Sequence, residues 1–554
     1  MKIYSYIKTF ALVATASTVI AACTKLNESL TSSLTTPEGN EFSNLFLQGA
    51  YNDIGVIYED PSNENQMEEM TADETFIPIR GSDWADGGEH VAFHLHSWTR
   101  SDGTTTLLQT EFQQLNKMNY DATAVLGTNG TADQLAQARF IRALSLYQLL
   151  DLYGQFPLRQ PGDNLLVASK VYTGDSAVQF IISELNATIP NLNAGNATSI
   201  ANPDAARMLL MKVLLNRGAF DTRANPTFAD ADMQQVITLG QTIIGNSAHS
   251  LDPNYFDIFS PSNANNSEAI FSLPNSHNAN ANLSTFSNLK NRWYATLHYN
   301  QYTPLNPDAG WNGFSTMGEF YNTFGVNGVT PTQTIADTSL DSRLGNKAVA
   351  GVTDVSGIRP GILINLQHDQ TGAAEQDRLG NPLSFTNAEE VPASIDVTGL
   401  PSLETAGYRV IKYSPDYTQG TASYGIPSNY FMLFRYSDVL LMVAEAKLRA
   451  ASPDPTGALA LVNQLRAARQ AAPLTTMALV NPTNVYDPNT LLAERGRELY
   501  WENQRRTDLI RFGVWTIAWR LKPADAGNYY LFPIDAADLA ANPNLFANLQ
   551  GSTY

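Results

Sequence analysis

Helix-length segments that recur in pairs constrain the fold of this chain more than any other feature of its sequence. The segment Leu135–Tyr153 carries apolar or small residues on two helical faces, so both faces are expected to be buried. Gly154 and Pro157 end it, because glycine suits a helix C-terminus and proline cannot continue a helix. The predicted pairs are Leu135–Tyr153 with Asp175–Ile189, Asp204–Gly218 with Ala231–Ile244, and Tyr436–Ala451 with Thr456–Arg469.

Stacked helical hairpins predict a mainly α fold. Small residues lie where the helices would touch, which is typical of a tetratricopeptide-like α-α superhelix, here with hairpins at about 110–250 and 430–515. Two further stretches, about 59–106 and 275–427, are rich in Asn, Gly, Pro and aromatic residues and have little helical periodicity. Long loops on a helical scaffold usually carry function, so a loop-rich, irregular ligand-binding region is expected there.

The only cysteine, Cys23, follows a charged and then apolar leader that ends in Ala21-Ala22. Residues 1–22 are predicted to be a lipoprotein signal peptide, because their apolar run is too short to span a bilayer and small residues precede the cut. Cys23 is then the predicted lipidation site, 23–39 a lipidated polar tether, and 40–554 the folded domain. The alternative is a soluble secreted protein in which Cys23 is an incidental thiol.

The charge of the chain excludes some partners. The formal net charge is −19, and removal of residues 1–22 leaves 32 basic and 53 acidic residues, a net charge near −21. An acidic surface repels phosphate groups, so nucleic-acid binding is not expected. Docking by charge on anionic lipids is also disfavoured, which leaves the lipid anchor as the attachment to a membrane.

Five segments resemble, in order, the motifs of the SusD/RagB family of outer-membrane nutrient-binding lipoproteins. They are Ala138–Leu158, Asn266–Phe271, Arg435–Ala446, Glu494–Arg511 and Phe532–Leu545. Two residues depart from the family pattern: Asn503 stands in place of a glycine and Arg506 in place of a tryptophan. The resemblance extends from Cys23 to the C-terminus and implies the same tetratricopeptide-like scaffold.

This resemblance also implies a function. A member of the family would capture an oligosaccharide or polysaccharide at the cell surface and deliver it to a SusC-like TonB-dependent transporter in the outer membrane. Lipid anchoring facing outside, a carbohydrate ligand and the absence of catalytic residues are implied with it. No cofactor and no metal ligand are predicted. Two alternatives remain: a transporter-associated scaffold or peptide-binding lipoprotein with little glycan affinity, and a glycan-degrading enzyme.

Recognition of a sugar needs an aromatic ring for its C–H face and polar groups for its hydroxyls. Two glycine-flanked tryptophan segments offer that combination, and their predicted ligand-binding residues are Arg80, Asp83, Trp84 and Asp86 in the first and Trp311 and Asn312 in the second. Trp293, beside Arg292 and Tyr294, is a weaker candidate. Packing of each loop onto its own scaffold is the alternative role for these tryptophans.

Two other clusters have a structural explanation that is favoured over a chemical one. Glu494, Glu498 and Glu502 are predicted to share a helix face, on which Glu498 and Glu502 could pair with Arg505, Arg506 or Arg511, since carboxylates among arginines have depressed pKa values and make poor general acids. His90, His94 and His96 have spacings that fit a metal site, but packing or hydrogen bonding is the preferred interpretation.

Overall fold

A computed structural model describes residues 41–62, 64–275, 288–301, 310–325, 341–345, 360–367, 374–389, 403–415 and 427–553. The predicted signal peptide, tether and lipidated Cys23 therefore lie outside the described residues. The chain divides into two units, Met1–Phe42 and Ser43–Tyr554, and of the first only residues 41 and 42 are described. The predicted division at residues 22, 23 and 40 stays a prediction.

Helices dominate the described chain. They are α1 (Glu41–Tyr58), α2 (Glu89–His94), α3 (Thr105–Leu126), α4 (Ala132–Tyr153), α5 (Gly174–Thr188), α6 (Pro203–Asp221), α7 (Asp230–Ile244), α8 (Asn291–Tyr294), α9 (Gly318–Asn322), α10 (Tyr436–Arg449), α11 (Pro455–Ala468), α12 (Leu491–Leu499), α13 (Arg505–Arg511) and α14 (Ala536–Ala541). A π-helical turn occupies Gln66–Met70, within the stretch predicted to be irregular.

Consecutive helices stack side by side through the scaffold. α4 packs between α3 and α5, α6 packs between α5 and α7, and α10 packs against α7, α11 and α12. This arrangement confirms the mainly α, tetratricopeptide-like fold. The predicted pairs Leu135–Tyr153 with Asp175–Ile189 and Tyr436–Ala451 with Thr456–Arg469 are neighbours, as expected from their apolar faces.

Local sequence explains where these helices begin and how closely they approach. Thr131 caps α4: its side chain accepts from the backbone N–H of Gln134, and the Gln134 side chain accepts from the backbone N–H of Thr131. Gly154 ends the same helix with a φ of 71°, a left-handed conformation that glycine adopts without strain. A Cβ on Gly240 of α7 would lie 2.2 Å from Val443 Cγ2 of α10, so only glycine permits this close packing.

Four short antiparallel strand pairs complete the fold of the described residues. They are β1 (Gln155–Leu158) with β2 (Lys170–Thr173), β3 (Ala269–Leu273) with β8 (Phe431–Arg435), β4 (Gly361–Leu363) with β7 (Arg409–Ile411), and β5 (Asn365–Leu366) with β6 (Ser384–Phe385). β8 leads directly into α10. Among the described helices none is long and apolar enough to cross a bilayer.

Buried ion pairs join α12 to distant parts of the chain, and Glu502, which was predicted on the same helix face, lies beyond the end of α12 at Leu499. Glu498 is fully buried and accepts hydrogen bonds from Arg435 at 2.6 Å and Arg469 at 2.8 Å, and Glu502 accepts from Lys412 at 2.5 Å. The prediction of an ion-pair network is confirmed. The predicted partners were wrong, because α13 turns its arginines toward other acids: Arg505 pairs with Asp73, Arg506 with Asp151, and Arg511 with Glu445 and Asp508.

Candidate ligand-binding site

The two predicted tryptophan segments lie side by side because three distant segments pair through their backbones. Phe76 and Ser315 exchange N–H···O=C hydrogen bonds of 2.9 and 3.0 Å, and Thr316 and Tyr408 exchange bonds of 2.7 and 3.0 Å. Trp84 comes soon after Phe76 in the chain, so its side chain reaches the segment that contains Trp311. Its indole N–H donates to the carbonyl oxygen of Trp311 at 2.8 Å.

Glycines make this close approach possible. A Cβ on Gly313 would lie 2.3 Å from Cζ2 of Trp84, so the indole rests directly on the glycine backbone. A Cβ on Gly310 would lie 2.1 Å from the carbonyl oxygen of Leu297. Trp84 also meets the ring of Phe314 edge-on, with centroids 6.1 Å apart. The glycines that flank the tryptophan in the sequence are therefore packing requirements.

Trp311 presents its ring to solvent. Trp311 is 44% exposed, whereas Trp84 is half-buried. The ring lies 6.1 Å from that of Tyr294 at an interplanar angle of 32°, and the backbone N–H of Trp311 donates to the Tyr294 carbonyl at 2.7 Å. An exposed indole held by its backbone and a neighbouring ring is a rigid apolar face, which is what a ligand with a C–H face requires.

Polar side chains lie beside the tryptophans. Asp83 accepts a hydrogen bond from the Tyr299 hydroxyl at 2.6 Å, and the guanidinium of Arg378 lies 3.9 Å from the centroid of the Tyr299 ring. The side chains of Asp83 and Arg378 are 44% and 45% exposed, with 3.8 Å between Asp83 Oδ2 and Arg378 Nη1. We call the surface formed by Asp83, Trp84, Tyr299, Trp311 and Arg378 the aromatic surface.

Tyr299 and Arg378 were not among the residues predicted from the sequence. Burial and the hydrogen bond to Asp83 raise the pKa of Tyr299, so its hydroxyl stays protonated and acts as a donor at neutral pH. Arg378 donates through Nε to Glu404 at 3.0 Å, which fixes the guanidinium over the tyrosine ring. The pattern Asp377-Arg378-Leu379-Gly380 reads only as a polar turn, so no sequence signal marked this arginine.

Two predicted residues support the aromatic surface from beneath. Arg80 is buried and donates to the backbone oxygens of Leu403, Ala406 and Gly313 at 2.5, 2.9 and 3.1 Å. Burial lowers the pKa of Arg80 to about 10, so it remains charged at neutral pH.

The second of these residues is Asn312. It is fully buried, has a left-handed φ of 55°, accepts from Arg409 at 2.8 Å and donates to the Glu404 carbonyl at 2.9 Å. Neither Arg80 nor Asn312 presents a side chain to a ligand, because the segment around Leu403–Arg409 covers both.

The remaining predicted residues are Asp86, which pairs with His90 next to the Trp84 ring, and Trp293. Asp86 is exposed, and its carboxylate lies 3.1 Å from Nε2 of His90. Trp293 is 1% exposed and borders a cavity of about 10 Å³ that it shares with Trp501. Such a volume holds about one water molecule, so a sugar ring has no room beside the buried Trp293.

The three histidines that suggested a metal each have separate partners. His90 contacts Asp86, His94 Nε2 hydrogen-bonds the Arg520 carbonyl at 3.2 Å, and His96 Nδ1 lies 2.8 Å from Asp525. Burial lowers the pKa of His94 to about 3, so it is neutral at physiological pH. In the described part of the chain no three His, Cys, Asp or Glu side chains are placed to hold a metal ion.

The carboxylates of α12 do not have the chemistry of a glycosidase. Burial would raise the pKa of Glu498, but Arg469 and Arg435 outweigh it and hold that pKa well below its ordinary value. Glu494 is held low in the same way by Arg343 and Arg497. A general acid must carry a proton near neutral pH, and neither group does.

Comparison with known proteins identifies the family. The model of the SusD family matches residues 267–551, which is more than half of the chain. This chain belongs to the SusD family. Starch-binding protein SusD of Bacteroides thetaiotaomicron is 24% identical over 481 residues, covering 82% of this chain and 79% of that protein.

Solved structures of SusD-family members share the fold. A laminarin-binding SusD-like protein superposes with a TM-score of 0.63 at 16% identity, covering 90% of this chain and 97% of that one. Surface glycan-binding protein A of Bacteroides thetaiotaomicron, solved with laminarihexaose, gives a TM-score of 0.63 at 15% identity over 92% and 99% of the two chains. These relatives carry the same architecture as this SusD-family chain.

Proposed function

We propose that this SusD-family protein binds a glycan at the aromatic surface. The observation that carries the proposal is the exposed ring of Trp311, held beside Trp84. A sugar ring stacked on the indole would bring its hydroxyls within reach of a carboxylate, a phenol and a guanidinium: Asp83, Tyr299 and Arg378. Relatives named for binding starch, laminarin or glycan support the same ligand class.

The affinity expected from such a site is modest. One stacked ring contributes about 0.5–1.5 kcal/mol beyond the area it buries, and each exposed hydrogen bond about 0.5–1.5 kcal/mol net. A few such contacts correspond to dissociation constants in the micromolar to millimolar range. Weak binding suits a protein that must release what it captures.

Isothermal titration of the full chain against starch, laminarin and other polysaccharides tests the proposal, in a detergent without a sugar headgroup. Trp311→Ala is expected to weaken binding by about 1–2 kcal/mol, or five- to thirtyfold. Tyr120→Ala removes a comparably exposed aromatic side chain from α3 and is expected to leave binding unchanged. Unchanged binding by Trp311→Ala would show that the glycan binds elsewhere on the protein.

We further propose that the protein is an outer-membrane lipoprotein, anchored through Cys23 on the outer face, that delivers its glycan to a SusC-like TonB-dependent transporter. The lone cysteine after a signal-like leader and the membership of the SusD family support this proposal. Anchoring beside a transporter raises the effective concentration of a weak binder at the pore. Cys23→Ser is expected to release the protein from membranes and to abolish labelling by a palmitate analogue.

We propose that the protein performs no glycan hydrolysis. The depressed pKa values of the α12 carboxylates support this, because they leave no protonated acid in that cluster. Reducing ends released from starch or laminarin would contradict it. A protein that co-purifies with the transporter but binds no glycan would instead be the scaffold alternative, and saturable binding of oligopeptides would make it a peptide carrier.

A further inference from the structure

A second concave surface lies away from the aromatic surface. It is a cavity of about 660 Å³ between the start of α6, the end of α7 and the segment that precedes β3. Small-molecule sites typically have volumes of about 300–1,000 Å³, so this cavity is large enough for an oligosaccharide end. No residue of the aromatic surface lines it.

Four polar side chains converge on one wall of the cavity. Asp204 accepts hydrogen bonds from Arg207 Nη1 at 2.6 Å and from Asn246 Nδ2 at 2.7 Å. The Nε2 atom of His249 lies 3.2 Å from the same carboxylate. Asp204 thereby holds an arginine, an amide and an imidazole in fixed positions at the cavity wall.

These side chains keep hydrogen-bonding capacity for a ligand. Within the described residues Nη1 is the only guanidinium nitrogen of Arg207 that makes a hydrogen bond, which leaves Nε and Nη2 as donors. The side chain of His249 is 9% exposed, and its Nδ1 atom has no hydrogen-bond partner in the described chain. A buried polar atom without a partner is costly and calls for an explanation, which a ligand in this cavity would supply.

Among the described residues the rest of the lining is uncharged. Tyr430 and Pro203 contribute apolar surface together with several alanines, and Asn265, Thr198 and Ser199 contribute amide and hydroxyl groups. The negative charge of Asp204 is balanced by the positive charge of Arg207. A ligand that fits apolar patches, amides and a balanced ion pair is neutral and rich in hydroxyl groups.

We infer that this cavity is a second carbohydrate-binding site, separate from the aromatic surface. The inference takes its ligand class from the lining and rests on the proposed function for the expectation that the ligand is part of a glycan. Two sites on one chain would hold a long glycan more tightly than either site alone, because the second binding event is intramolecular.

Hydrogen–deuterium exchange of the full chain locates each site separately. Maltohexaose and laminarihexaose are the probes, and each is added at increasing concentration. Slower exchange is expected in peptides from 194–207 and 246–269 for the cavity, and in peptides around Trp84 and Trp311 for the aromatic surface. Ala248→Trp fills the cavity from an exposed position, and Ala460→Trp is the matched control on the exposed face of α11.

Protection of the cavity peptides by either sugar, lost in Ala248→Trp and kept in Ala460→Trp and Trp311→Ala, is the expected result. Arg207→Met keeps the apolar stem and is expected to weaken cavity binding about tenfold or more, because it removes charge-assisted donors. Protection of the aromatic surface alone would overturn the second site. Protection of the cavity alone would support the second site and refute glycan binding at the aromatic surface. No protection in either region would refute both sites.

Discussion

Gly313→Ala adds a single methyl group that should displace Trp84 and so disrupt the aromatic surface. The added Cβ would lie 2.3, 2.5 and 2.7 Å from three atoms of the Trp84 indole. Ordinary van der Waals contact begins near 3.4 Å, so the ring must move by about 1 Å or more. The backbone of Gly313 does not have a positive φ, so the clash is the cause of any effect.

The cost follows from what Trp84 must give up. Overpacking by one methyl group typically costs about 1–3 kcal/mol. A displaced indole also strains its 2.8 Å hydrogen bond to Trp311 and its edge-on contact with Phe314, each worth about 0.5–1.5 kcal/mol. We expect a loss of about 2–3 kcal/mol in the free energy of unfolding and at least about tenfold weaker glycan binding.

Urea unfolding followed by tryptophan fluorescence, together with isothermal titration, measures both effects. Gly49→Ala in α1 is the matched control, because a Cβ there meets nothing within 4 Å, and alanine should stabilise that helix by about 0.5–1 kcal/mol. In a Trp84→Ala background the cost of Gly313→Ala should fall below about 0.5 kcal/mol. The same cost with and without the indole would show that the clash with Trp84 is not its cause.

Three further predictions concern buried groups. Glu498→Gln should lower the free energy of unfolding by about 3–5 kcal/mol, measured in urea, since Arg435 and Arg469 lose their shared carboxylate; a loss under about 1 kcal/mol would contradict the ion-pair account. Burial raises the pKa of Glu111 to about 8, above the value of the same group in the unfolded chain. Glu111 therefore contributes fully to stability below about pH 4, and this contribution falls by up to about 1.4 kcal/mol per pH unit as pH rises toward 8. Glu111→Gln should make the thermal midpoint depend less on pH over that range. An unchanged pH dependence would show that Glu111 does not cause it. Trp293→Phe should cost about 1–3 kcal/mol of stability and leave glycan affinity within about twofold, whereas weaker binding would place Trp293 in the site.

Much of the scaffold could be predicted because its signals are local. Apolar periodicity, caps and terminal glycines placed α4, α5, α10 and α11 to within about three residues of their observed ends. Ion pairing of the α12 carboxylates was predictable from their crowding by arginines. Their partners were not, because pairing depends on where distant segments such as Arg435 and Arg469 return in three dimensions.

The candidate site was predictable only in part, for the same physical reason. Glycine-flanked tryptophans mark backbones that approach closely, and Trp84 does contact the Trp311 segment. Residue type could not reveal that Leu403–Arg409 would cover Arg80 and Asn312. Tyr299 donates to Asp83 across a separation of more than 200 residues, which no local pattern encodes.

A crystal structure of the chain soaked with laminarihexaose or maltohexaose would show whether a sugar ring stacks on Trp311. We expect a sugar with its C–H face against the Trp311 indole and with hydroxyls within about 3 Å of Asp83, Tyr299 or Arg378. Soaked crystals in which the exposed face of Trp311 carries no sugar would contradict stacking on this ring.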